Sequence, residues 1–78
     1  MPSQEKPQIV LGRVIRKLRR QRELTQEALA HRAGITVGHL SKIERGQSNP
    51  SWSTVCSIAA ALETSMGPLG KLVDRHDS

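Results

Sequence analysis

Apolar residues recur at helical spacing along most of this chain. Leu11, Val14, Ile15 and Leu18 stand at i, i+3, i+4 and i+7 and form one stripe, while Arg13, Arg16, Lys17 and Arg20 fall off it. The pattern predicts a first helix over residues 9–22, with Glu23 turning the chain out of it. Thr25 is a good N-cap for a second helix over 26–33, Glu27 lies in its first turn, and Ala28, Leu29 and Ala33 give it a narrow apolar face. Gly34 ends that helix. Thr36 caps a third helix over 37–45, in which Leu40 and Ile43 point inward and His39, Ser41, Lys42 and Arg45 stay outside. Gly46 stops it, and Gly46-Gln47-Ser48-Asn49-Pro50 is dense in turn residues. A fourth helix over 51–62 is expected to bury Val55, Ile58, Ala59 and Leu62, with Trp52 packed in its first turn. A short fifth helix over 66–74 offers Leu69, Leu72 and Val73, and Pro68 falls in its first turn, where a missing N–H costs nothing. Residues 1–8, with two prolines and no apolar period, read as a flexible arm, and 75–78 as a frayed tail.

Seventy-eight residues make at most one small core, so the pattern describes a single all-α domain over 9–74. Composition then narrows the function. Trp52 is the only aromatic residue, which argues against the stacking platforms that hold single-stranded nucleic acid. Cys56 is the only cysteine and cannot close an internal disulfide; with three scattered histidines (His31, His39, His76) it cannot make a Cys-based zinc site. The expectation is a metal-free, cofactor-free cytoplasmic protein. No apolar run approaches the roughly 20 residues that cross a bilayer, and the polar start MPSQEKPQ is not a signal peptide. A glycine-rich phosphate loop, paired carboxylates with a pocket and a nucleophile–base arrangement are all missing, so no enzyme is expected.

Charge is unevenly placed. The chain carries +5 overall, but residues 1–45 hold ten Lys/Arg against four acids, and residues 46–78 hold two against three. A basic front half points to a polyanionic partner; the plainer reading is a solvated helix face. A basic helix lying on a membrane would want aromatics on its apolar face, and there are none.

The join of the second and third helices is the informative place. Two short helices with a glycine at the end of the first have the layout of a helix-turn-helix, whose second helix enters the major groove of duplex DNA. Leu24-Thr25-Gln26-Glu27-Ala28-Leu29-Ala30, Ala33-Gly34-Ile35, Leu40-Ser41-Lys42-Ile43-Glu44-Arg45-Gly46 and Asn49-Pro50-Ser51, extended by Ile58-Ala59 and Ala61-Leu62, together resemble the Cro/repressor-type helix-turn-helix family. Phage repressors and restriction–modification controller proteins belong to that family. The resemblance covers about 50 of the 78 residues.

It implies a five-helix fold and a transcriptional regulator that binds double-stranded DNA as a homodimer on a pseudo-palindromic operator. It further implies that Gln26 touches phosphate and buttresses the reading helix. Val37, Gly38 and Lys42 take base-reading positions, and Thr36, His39, Ser41 and Arg45 lie where the helix meets DNA. Ser48 and Asn49 are expected as flanking contacts, and Arg19 and Glu44 as a pair joining the first helix to the end of the third. Met66, Leu69 and Val73 are candidates for the dimer seam. Against these roles stand plainer ones: a solvated Gln26, a surface Lys42, helix-start packing for Val37, an exposed polar His39 and an unpaired Arg19.

Three positions depart from the family pattern. Glu23 and Glu63 stand where glycine is usual, and Gly38 brings no side chain to a base-reading position. Gly38 is read as allowing close backbone approach to DNA. Two other functions remain open at this point: an antitoxin or adaptor module that mainly contacts another protein, or the DNA-binding piece of a longer regulator. No small-molecule effector is evident.

Overall fold

The computed structural model describes residues 6–64. Four helices follow one another: α1 (Pro7–Gln21), α2 (Gln26–Ala33), α3 (Val37–Glu44) and α4 (Trp52–Thr64). Local chemistry sets their starts. Pro7 opens α1 after an extended Lys6, so the arm expected over 1–8 gives up its last two residues to the helix. The hydroxyls of Thr25 and Thr36 accept hydrogen bonds from the N–H of Ala28 and of His39, each at 3.0 Å, capping α2 and α3. Ser51 does the same for α4 through the N–H of Thr54 at 3.1 Å, so that helix starts one residue later than expected.

The first three helices end alike. Each is followed by one residue in the left-handed region: Glu23 (φ 54°), Gly34 (φ 74°) and Gly46 (φ 74°). In each case the next N–H reaches back five residues, from Leu24 to Arg19, Ile35 to Ala30 and Gln47 to Lys42, closing the helix at 2.9–3.1 Å. These turns place α3 one residue shorter than expected, ending at Glu44.

The core sits where α2 packs on α3 and α4. Leu29, Leu40, Ile43 and Ile58 are fully buried, with Ile15, Ala30, Ala33, Ala61 and Leu62 around them. Each large aliphatic side chain buried there contributes about 1.5–3 kcal/mol. α1 packs on α3. At that crossing a Cβ on Gly12 would overlap the carbonyl oxygen of Ile43 and lie 2.9 Å from that of Glu44, so only glycine lets the two backbones approach this closely.

Three packing expectations are corrected. Trp52 is 80% exposed, because it stands about 120° around α4 from the inward Ile58. Ala59 is exposed, one residue and about 100° from Ile58, and Ala61 is buried instead. Val14 is exposed too; it and Ala59 line a groove of about 230 Å³ between α1 and α4 rather than entering the core. The fifth helix expected over 66–74 and the tail at 75–78 lie outside the described residues.

Two substitutions test this packing by thermal denaturation. Glu23→Gly relieves the left-handed strain, a gain of up to about 1 kcal/mol. That raises the melting temperature by several degrees; an unchanged or lower value contradicts the strained turn. Gly12→Ala forces α1 off α3 and costs about 1–3 kcal/mol; a variant as stable as the parent contradicts the close crossing.

Candidate nucleic-acid interface

The turn Gly34-Ile35-Thr36 swings the chain from α2 into α3 with Ile35 tucked against the core. α3 then buries one side, through Leu40, Ile43 and Glu44, and turns the other outward. At about 100° per residue, Gly38 stands near the centre of the outward side, with Arg45 about 20° and Lys42 about 40° from it. Gly38, Lys42 and Arg45 are exposed, and nothing lies within 4 Å of where a Gly38 Cβ would stand. Val37 is 40% exposed at the start of the helix. His39 and Ser41 are half-buried on the flanks, and Thr36 is exposed at the cap. In the following loop Ser48 is half-buried and Asn49 exposed.

Behind this face sits a buried carboxylate. The Glu44 side chain is 2% exposed. Arg19 donates to it twice, from Nε to Oε2 at 2.7 Å and from Nη2 to Oε1 at 3.1 Å, in the two-pronged geometry a guanidinium favours. Gln26 donates from Nε2 to Oε1 at 3.1 Å, and the remaining prong of Arg19 caps the carbonyl of Leu24 at 2.8 Å. Among the described residues no buried side-chain polar atom lacks a partner. One carboxylate thus ties together α1, the start of α2 and the end of α3. The Gln26 amide has a second N–H beyond the one given to Glu44, and so can donate to an anion at the protein surface.

Arg22 does a different job. Its Nε donates to the carbonyl of Leu62 at 3.0 Å and its Nη1 to that of Leu18 at 3.1 Å, clipping the end of α1 to α4. Sequence reasoning counted Arg22 only as one more cation and passed over Gly12; neither carries a periodic or motif signal. The resemblance gave Gln26 a buttressing role without naming a partner; the structure supplies Glu44. Met66, Leu69 and Val73 lie outside the described residues. No described helix is long and apolar enough to cross a membrane.

Exposed cations around the outward side of α3, and an amide held at the start of its neighbour, are chemistry for binding an anion. The comparisons with known proteins agree in kind. Residues 10–69 match the model of the family described as helix-turn-helix domain. The immunity repressor protein of Bacillus phage phi105 is 41% identical over 54 residues, covering 69% of this chain and 38% of that protein. The chain thus spans well under half of that relative's length. The uncharacterized HTH-type transcriptional regulator y4dJ of Sinorhizobium fredii is 39% identical over 56 residues, covering 72% of this chain and 73% of that one. Among solved structures, the restriction-modification controller protein C.AhdI from Aeromonas hydrophila superposes with a TM-score of 0.71 at 34% identity, over 72% of this chain and 85% of that one.

Chemical denaturation checks the buried carboxylate. Glu44→Ala strands the Arg19 guanidinium in a mostly buried site and costs about 3–5 kcal/mol. Gln26→Ala leaves the ion pair in place and costs about 1 kcal/mol. Equal losses from the two substitutions contradict this account of the hub.

Proposed function

The chain belongs to the helix-turn-helix domain family, and we propose that it is a transcriptional regulator that binds double-stranded DNA with α3 in the major groove. The observation that carries this reading is the open outward side of α3, with Gly38 near its centre and Lys42 and Arg45 beside it. An α-helix with its side chains is about 10–12 Å across, and the major groove is about 12 Å wide. A glycine in mid-face lets the backbone approach the base edges where a side chain would hold it away. Lys42 then donates to the acceptors of guanine, and Val37 meets a thymine methyl.

The remaining contacts hold the helix in register. Gln26, Thr36, His39, Ser41 and Arg45 meet phosphates beside the groove, and Ser48 and Asn49 meet the flanking strand. These contacts supply most of the affinity, which falls steeply with salt.

One helix of eight residues gives limited discrimination, so the protein acts as a homodimer on half-sites about 34 Å apart. Leu11, Val14, Leu18, Val55, Ala59 and Leu62 line the groove between α1 and α4. The chain leaves α4 next to this groove, and the following residues include Met66, Leu69, Leu72 and Val73. Of these, Met66, Leu69 and Val73 are the candidates for the dimer seam. The names of the relatives, an immunity repressor and HTH-type transcriptional regulators, support a regulator of transcription.

Selecting bound duplexes from a random pool, with sedimentation of the protein alone, tests this. The expected result is a two-fold-related sequence and a dimer; no enrichment over random DNA contradicts it. Lys42→Ala is expected to weaken binding to the selected duplex about tenfold or more and to relax one position per half-site, while Gly38→Ala weakens it despite a more stable helix. Equal or tighter binding by Gly38→Ala contradicts the close-approach role.

A further inference from the structure

We propose that the outer side of α1 is a second DNA contact, which takes the phosphate backbone flanking the site read by α3 on the same duplex. This rests on the DNA-binding reading above. Arg13, Arg16, Lys17 and Arg20 stand at i, i+3, i+4 and i+7 along α1, all exposed, on the side turned away from the core. α1 contains no acidic residue. Each of the four cations therefore has like-charged neighbours one turn away, an arrangement that weakens a helix unless an anion offsets it. No described side chain pairs with Arg16, Lys17 or Arg20, whereas Arg19 and Arg22 of the same helix are committed to carboxylate and carbonyls.

The stripe is continuous with the interface already described. Arg16 lines a shallow polar pocket with Gln26, Ser41 and Arg45 at the end of α3, and it also lines an open depression with Arg13, Lys17 and Arg20. Arg16 thus joins the cations of α1 to the end of the reading helix. From residue 13 to residue 20 is about 10.5 Å along a helix. That length is enough to meet more than one phosphate of the duplex. A protein partner fits less well, because protein interfaces centre on aromatic or aliphatic anchors with charge at the rim, and these four positions offer only charge.

The double substitution Lys17→Gln/Arg20→Gln tests the proposal, since both side chains are exposed and outside the hydrogen-bonded hub. Binding is measured on two duplexes selected with the unsubstituted protein: the protected core alone, and the same core with ten more base pairs on each side. The unsubstituted protein is expected to bind the longer duplex about tenfold more tightly at low salt. The variant loses that advantage, and its slope of log K against log salt on the longer duplex falls by about 1.8, with the short duplex unaffected. Equal losses on both lengths, no loss on either, or an effect seen only when a second separate duplex is added overturns the proposal while leaving the DNA-binding reading intact. Failure of the unsubstituted protein to bind either length overturns that reading itself.

Discussion

The Glu44 carboxylate is held almost wholly out of water, and a charge in that position is tolerable only if it is matched on the spot. The match comes from two other helices. Arg19 supplies a two-pronged ion pair from α1, and Gln26 supplies an amide from the first residue of α2. Because Glu44 is the last residue of α3, these bonds fix the end of that helix against both neighbours. Eight residues are too few for a helix to persist alone in water. The orientation of α3 is therefore a property of the buried network and of the apolar contacts of Leu40 and Ile43, not of the helix itself.

Two glycines on opposite sides complement that network. Gly12 lets α1 pass close to the carbonyls at the end of α3, which brings the Arg19 guanidinium within reach of Glu44. Gly38 leaves the far side of α3 open, with empty space where a side chain would project. One side of a short helix is thus locked by a charge that cannot be moved cheaply, and the other is cleared for close approach. Arg22 adds a further tie by capping the last carbonyls of α1 and α4, so two of the arginines in the basic half of the chain serve the fold. Among the described residues, the exposed cations include Lys42 and Arg45 at α3 and the four on the outer side of α1.

Much of this was legible in the sequence because it is local. The threonine caps, Gly34 and Gly46 mark the ends of α2 and α3, and Glu23 falls at the turn after α1, where glycine is usual. The periodic stripe of α1 found its buried side, but periodicity cannot say how far a neighbour extends. Val14 and Ala59 are consequently left beside a groove, and Trp52 projects from the first turn of α4. Partners distant in the chain were legible only through family resemblance, which named Arg19 and Glu44 but not Gln26 as their third member. A close approach such as that at Gly12 leaves no pattern in one sequence, since glycine in a helix carries no mark of what lies opposite.

Everything above turns on α3 entering the major groove. Chemical methylation of a bound duplex tests it, because guanine N7 lies in the major groove and adenine N3 in the minor groove. Guanine N7 is expected to be protected within each half-site, with adenine N3 there remaining reactive. Protection confined to adenine N3, or binding that leaves every guanine N7 reactive, contradicts it.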